Sequence, residues 1–407
     1  MQPLSQTPLH SRHLALGAAM APFAGWDMPL WYKAGAIKEH LAVVTAAGLF
    51  DTSHMDVLLL SGEKWRVFLD FAFTREIAGL RQGRCGYGAF LDKAGHCLDD
   101  AIIYPLDEER AAVVVNASMA GPIRDHLAGL PDADAVTIAP LSPRPAKLDL
   151  QGPASVAILE GLLAGGRETL TTFPYFSFKG DFDFTPTGVR LADGTPILLS
   201  RTGYTGETGF EIFLPEDRAG ALWDAILERG AAAGVIPCGL AARDSLRTGA
   251  VLPLSHQDIG AWPYINHPWP FALPLAQDGS FSKKFFGSDA LNAETSPHTL
   301  PFAGYDPRRV DPATAEVVVD GVSAGRVLTI VSDMAIGRVD GRIRSLASPD
   351  KPEGWTPRGL ACGFIMVNRP LAAGCEAVLR DGRREIRIEI VSDIRPDRTA
   401  RKKLYQG

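Results

Sequence analysis

Cysteine is scarce in this chain: five among 407 residues, at Cys85, Cys97, Cys238, Cys362 and Cys375. They are odd in number and far apart, with no C-x-x-C pair, which argues against a disulfide framework or a zinc site and fits reduced thiols. No stretch of about 18 uninterrupted apolar residues is present, so no transmembrane helix is expected. The opening MQPLSQTPLHSRHLALG lacks a basic segment followed by an apolar one, so it does not read as a signal peptide. A cytoplasmic location is the expectation. Positive charge is also short. Lys and Arg number 41 against 47 Asp and Glu, a formal charge of −6. That balance argues against a general nucleic-acid binder or a binder of anionic membranes, and an anionic ligand would need its positive contacts to be local. There is no Walker A loop, no H-E-x-x-H and no G-x-G-x-x-G opening a helix. The nine histidines are scattered without metal-ligand spacing. Gly321-Val322-Ser323-Ala324-Gly325 spells the serine-hydrolase pattern, but that motif needs a strand-to-helix elbow and both flanks here read as strands. A hairpin turn is the expectation.

What is present is ample apolar material, 46% hydrophobic against 22% charged residues, with a mean hydropathy of +0.03. At roughly 150 residues per domain the length points to two or three domains. Apolar spacing predicts a helix over 37–47 stopping at Gly48, a strand at 57–60 and a helix at 62–72. Strands follow at 86–91, 100–104 and 111–115, then a helix near 122–130. Leu148–Leu150 leads through Gln151-Gly152-Pro153 into a helix at 154–163. Strands at 197–199 and 210–214 and a helix at 218–229 extend the series. After about residue 290 hairpins take over, one from Ala315 and one across Asp381-Gly382, as expected for a small antiparallel barrel or sandwich. The polar, Pro-rich stretch 346–358 reads as an exposed loop. From Arg380 onward nine Lys or Arg face five acids, which reads as a solvated basic face.

Several polar motifs in glycine-rich turns then carry a resemblance. The opening TPLHSRHLALGAAMAPFAGWDMPLWY, Phe50-Asp51-Thr52-Ser53-His54-Met55 and Gly95-His96-Cys97-Leu98-Asp99-Asp100 come first. Val114-Val115-Asn116-Ala117, Leu150-Gln151-Gly152-Pro153, Arg201-Thr202-Gly203-Tyr204-Thr205-Gly206-Glu207, Gly209-Phe210-Glu211 and Cys238-Gly239-Leu240-Ala241-Ala242-Arg243-Asp244-Ser245-Leu246-Arg247 follow in order. Together they resemble the glycine-cleavage T-protein family (aminomethyltransferases) over most of residues 7–250. The resemblance implies an α+β fold: two interleaved α/β folate-binding subdomains over residues 1–285 and a C-terminal antiparallel β-barrel over 286–407. It also implies tetrahydrofolate as cofactor and a lipoyl carrier protein as partner. The carrier's aminomethyl group would pass its carbon to tetrahydrofolate, giving methylenetetrahydrofolate and ammonia.

The same resemblance assigns roles. Asp99 stands where the family has its catalytic carboxylate, whose useful work is electrostatic, stabilising a cation as ammonia departs; alone, it would read as a turn-capping Asp. Glu211 matches the pteridine-binding acid, able to accept two N–H bonds from an amino-pyrimidine edge. Tyr87 and Tyr204 match positions where an aromatic packs on ring faces, with core packing as the other reading, and Asn116 would line the pocket. Arg243 and Arg247 are spaced i, i+4 on a helix after Gly239. They suit the carboxylates of the folate tail, Arg243 being the family's position, or else they form helix ion pairs with Asp244 or other acids.

Residues 248–273 depart from the pattern. Where T-proteins continue Arg-Leu-Glu-Ala-Gly and then Leu-Tyr-Gly, this chain reads Arg247-Thr248-Gly249-Ala250-Val251 and Leu254-Ser255-His256-Gln257-Asp258. A later glutamate has become Pro270, and Trp262, Tyr264 and Trp269 crowd the stretch, filling core or reshaping the donor side. Two alternatives follow: a tetrahydrofolate-dependent demethylase acting on a small O-, S- or N-methylated compound, and a non-catalytic folate-binding protein. The chain lacks the Lys-Gly-Cys-Tyr-x-Gly-Gln-Glu motif of the latter group. It keeps the Gly-Tyr-Thr-Gly-Glu turn that dimethylsulfoniopropionate demethylases replace.

Overall fold

The structure is a computed structural model that describes residues 3–185, 188–292 and 296–405. Its first sheet is antiparallel, with five strands in the order Gly86–Leu91, Cys97–Pro105, Arg110–Val115, Asp56–Ser61 and Thr137–Pro140. The helix Trp65–Ala72 packs on it because Trp65, Phe68, Leu69 and Ala72 fall on one face at helical spacing and are all buried. The helix Ala120–Ala128 adds Ile123 and Leu127 to the same core, against Leu58, Leu60, Val113 and Val115.

The second sheet orders Phe178–Lys179, Leu198–Ser200, Gly209–Pro215, Pro145–Gln151, Gly48–Asp51 and Ile236–Pro237. Only the last pair is parallel. Leu148, Leu150, Phe210 and Ile212 pack under the helix Ala219–Gly230 through Leu222, Trp223 and Ile226. The helix expected over 37–47 spans Ala36–Thr45, and Gly48 begins the strand after it. A Cβ at Gly48 would lie 2.5 Å from Val43 and 2.6 Å from Cys238, so the residue is small to let helix and strand approach. The strands Gly48–Asp51 and Pro145–Gln151 are neighbours, yet the whole first sheet lies between them in sequence. The two α/β parts are interleaved in this sense.

Six strands then close an antiparallel barrel, His298–Gly304, Leu360–Val367, Val322–Asp333, Glu316–Val319, Glu376–Asp381 and Arg384–Ile390, the last pairing back to the first. Val317, Val319, Val327, Ile330, Ile365, Leu379 and Ile388 fill it. Asp320 and Gly321 both have positive φ, 52° and 79°, the backbone of a two-residue hairpin. Ser323 therefore sits in a strand, and the hydrolase-like spelling has no elbow. Residues 346–358 form no helix or strand, as expected of a loop.

Between the second sheet and the barrel, residues 250–290 form short 3-10 turns and irregular chain. Trp262, Tyr264 and Trp269 are buried there with Ala89, Leu91 and Phe364. His267 is stacked between the indoles, its centroid 5.2 Å from Trp262 and 5.9 Å from Trp269. Burial lowers its pKa to about 4, so the ring is neutral. Its Nε2 accepts from the Gly260 N–H, which leaves Nδ1 to donate to the Tyr264 carbonyl. Among the described residues no helix is long and apolar enough to cross a membrane.

Candidate functional site

The Asp99-Asp100 pair lies on the strand Cys97–Pro105, just past a register irregularity in its pairing with Gly86–Leu91. Asp99 is fully buried. Pairing of Ala101 with Val115 brings Asn116 beside the pair. Its backbone N–H donates to Asp99 Oδ2 at 3.0 Å and its side-chain Nδ2 to Asp99 Oδ1 at 2.7 Å. The same amide nitrogen donates to Asp100 Oδ1 at 2.7 Å, and the Tyr87 hydroxyl donates to Asp100 Oδ2 at 2.8 Å. Three sequence-derived candidates, Asp99, Asn116 and Tyr87, thus form one hydrogen-bonded unit with Asp100, to which the sequence reading gave no role. Burial and the facing Asp99 raise the Asp100 pKa to about 6, while Tyr87 and Asn116 oppose that rise. His256 completes the cluster, its Nε2 3.5 Å from Asp99 Oδ1.

A second cluster sits on the neighbouring sheet, where Glu211 pairs directly opposite Asp149. Lys147, two residues along the same strand face, places its ammonium 2.5 Å from Glu211 Oε1, 2.7 Å from Asp149 Oδ1 and 3.1 Å from Thr52 Oγ1. Its three donors are used. Arg243 bonds Asp149 Oδ2 at 2.8 Å. The chain Glu211–Lys147–Asp149–Arg243 is charge-balanced. Burial works against the Asp149 charge, but Lys147 and Arg243 hold its pKa below the usual range. Thr202 donates to the other oxygen of Glu211. Tyr204 stands between the clusters: Arg243 lies 4.8 Å from its ring centroid, Asp100 is among its charged neighbours, and its hydroxyl donates to the Pro253 carbonyl.

Arg247 diverges from Arg243. It is fully buried and held by Asp244 at 2.6 Å and by Asp258, with Thr329 of the barrel at 3.3 Å. This is the ion-pair alternative for that residue. Sequence reasoning singled out no role for Lys147, His54 or His256. Lys147 hides because a lysine in Pro145–Gln151 reads as a surface residue until Asp149 and Glu211 are known to face it. His54 is buried with Nδ1 unpaired; burial and the nearby Arg243 lower its pKa to about 3, so it is neutral. The signal that marked it was its place in Phe50–Met55. Among the described residues no cluster of His, Cys, Asp or Glu is arranged to hold a metal ion.

Residues 9–262 match the family described as the GCVT N-terminal domain. The chain belongs to this family, the glycine cleavage T-proteins. Named relatives agree along most of its length. An aminomethyltransferase of Streptomyces coelicolor is 36% identical over 343 residues, 82% of this chain and 87% of that protein. One of Bacillus cereus is 40% identical over 257 residues, 63% of this chain and 66% of that protein. The crystal structure of the glycine cleavage system aminomethyltransferase T from Bartonella henselae is 27% identical and covers 98% of this chain and 99% of that one, with a TM-score of 0.75. This T-protein family member therefore shares the architecture through the barrel, beyond the matched N-terminal region.

Proposed function

We propose that the protein is an aminomethyltransferase of the glycine cleavage system, releasing ammonia from a carrier-bound aminomethyl group and passing the carbon to tetrahydrofolate. The observation that carries the reading is Asp99: a carboxylate with no solvent exposure, aimed by two N–H bonds from Asn116. A negative charge fixed in a water-poor site stabilises a developing cation without reorganising when the reaction occurs. Asp100, held by Tyr87 and by the same Asn116 amide, fixes that geometry from the next position on the strand.

The residues suit a folate. Each Glu211 oxygen accepts one bond in the structure, from Lys147 or from Thr202. One lone pair on each oxygen is left for an N–H of an amino-pyrimidine edge. Tetrahydrofolate would supply the nucleophilic nitrogen that takes up the carbon. Tyr204, with Arg243 over its face, offers an aromatic wall. Arg243 remains the residue for the folate carboxylates. Arg247 is left out of that role, since its guanidinium is committed to Asp244 and Asp258. The buried packing of Trp262, Tyr264 and Trp269 favours the core reading of that stretch over a pocket for a methylated donor.

The test is an assay with an aminomethyl-lipoyl carrier protein, set against O-, S- and N-methylated donors, all with tetrahydrofolate. Ammonia and methylenetetrahydrofolate are expected from the carrier alone; methyltetrahydrofolate from a methylated donor would replace this reading with demethylation. Asp99→Asn should cut turnover by about a hundredfold or more while leaving tetrahydrofolate affinity nearly unchanged. Arg243→Ala should weaken folate more than a tail-truncated analogue, and equal losses would remove Arg243 from the tail.

A further inference from the structure

His256 lies in a tight stretch, Leu254–Asp258, held by the Asp258 carboxylate accepting the Leu254 N–H at 3.0 Å. Its φ is 63°, in the left-handed region that costs a non-glycine residue energy. That backbone turns the imidazole onto Asp99, with Nε2 3.5 Å from Oδ1. The exposures contrast: the Asp99 side chain is at 0% and the His256 side chain at 53%. His256 is thus a half-open group laid against a closed carboxylate.

Resting on the function proposed above, we infer that His256 is the proton donor to the leaving group, with Asp99 holding its ring through Nε2 and Nδ1 presenting the proton. In the ammonia-releasing step the carbon–nitrogen bond of the donor breaks and its electron pair stays on nitrogen. That nitrogen takes the proton from Nδ1 and leaves as ammonia. The carbon takes an electron pair from one acceptor nitrogen, whose N–H proton passes to solvent; the carbon–sulfur bond to the carrier then breaks as a second acceptor nitrogen attacks, the sulfur leaving as the thiol with that nitrogen's proton. The neutral imidazole recovers a proton from solvent through its exposed face. A carboxylate 3.5 Å from one ring nitrogen favours the imidazolium, the arrangement by which histidines serve as general acids. Asp99 and Asp100 are the charged groups facing His256, both from the strand Cys97–Pro105, and both raise its pKa, Asp99 chiefly through a hydrogen bond. Cys97, on the same strand and beside Ser255, stays protonated because burial raises its pKa. The acid form of His256 therefore persists above the ordinary histidine range, and activity should fall as pH rises through that raised value.

His256→Gly is the informative variant, because glycine adopts a φ of 63° without strain and the fold should hold or gain stability. His256→Gln keeps a polar side chain without a transferable proton. Both are expected to lower kcat about a hundredfold or more, to leave tetrahydrofolate affinity within about twofold, and to lose the alkaline limb of the pH–rate profile. An NMR titration of histidine ring signals, assigned with His256→Gln, should show the His256 pKa above about 6.5 and lower in Asp99→Asn. Unchanged kcat and profile in both variants would overturn the inference alone, as would a His256 pKa indifferent to Asp99→Asn. Wild-type protein that turns over no donor would overturn the proposed function and this inference with it.

Discussion

Asp100 is the residue at which charge and burial disagree most openly, and its linkage has a definite sign. Its folded pKa of about 6 lies above the unfolded value near 3.9. The folded state therefore holds this proton more tightly, and the stability this provides is lost as pH rises through about 6. Asp100→Asn keeps an oxygen for Asn116 or Tyr87 and removes the repulsion with Asp99. It should raise the thermal midpoint at pH 8 and change it little at pH 4, as followed by circular dichroism at both pH values; a gain confined to pH 4 would contradict the assignment. Asp99, Asn116 and Glu211 were visible in the sequence because each sits inside a short motif, and Tyr87 only as a position matching the family. Lys147 and His256 were not. Their significance arises from pairings across strands and loops, Lys147 with Glu211 and His256 with Asp99, at separations no local pattern spans.

At the scale of elements, the helix Leu240–Gly249 connects most of what matters. Arg243 near its start turns to the Asp149 carboxylate, Arg247 turns to the barrel, and the Gly249 carbonyl accepts the Arg395 N–H at 2.8 Å. A Cβ on Gly249 would lie 2.1 Å from Asp333 Oδ2 and 2.7 Å from Arg395. Gly249→Ala should therefore cost about 1–3 kcal/mol through overpacking, seen as a lower urea midpoint; an unchanged midpoint would show that this contact yields freely. Periodicity revealed the main helices and most strands, since apolar faces repeat where a face is buried. It missed the hairpin Ala19–Phe23 with Trp26–Trp31, whose strands are mostly half-buried and carry little alternation. The alternation of strands and helices was legible, but it left open which strands pair, and pairing is almost wholly antiparallel. Pairing partners are chosen by contacts distant in sequence, and Gly48–Asp51 beside Pro145–Gln151 is the clearest case.

Across the whole molecule, the segment after the barrel returns to the second sheet. Arg395 is fully buried, its guanidinium 2.8 Å from Asp333 and 3.3 Å from Glu207. Glu207 accepts the Thr399 hydroxyl at 2.7 Å, the Thr208 hydroxyl bonds the Thr399 carbonyl at 2.7 Å, and the Tyr405 hydroxyl bonds Glu160 at 3.0 Å. His40 reaches the same Asp333 at 2.9 Å. Arg395→Met would take the arginine cation from two buried carboxylates, leaving Asp333 to His40 and Glu207 to Thr399, a loss of about 3 kcal/mol, and should expose the turn at 203–207 to limited proteolysis before the barrel is cut. Resistance equal to wild type would mean that the turn stands without its cation. The basic face read from composition is thus partly a buried clamp, which composition could not distinguish from solvated charge. This clamp also sets an order in time. The ribosome makes Gly203–Glu207 long before Arg395 and Thr399, so the turn beside the proposed folate site waits, without its counter-charge, until the barrel's chain has been synthesised. A nascent chain halted inside the barrel would carry every candidate site residue and still lack a finished site.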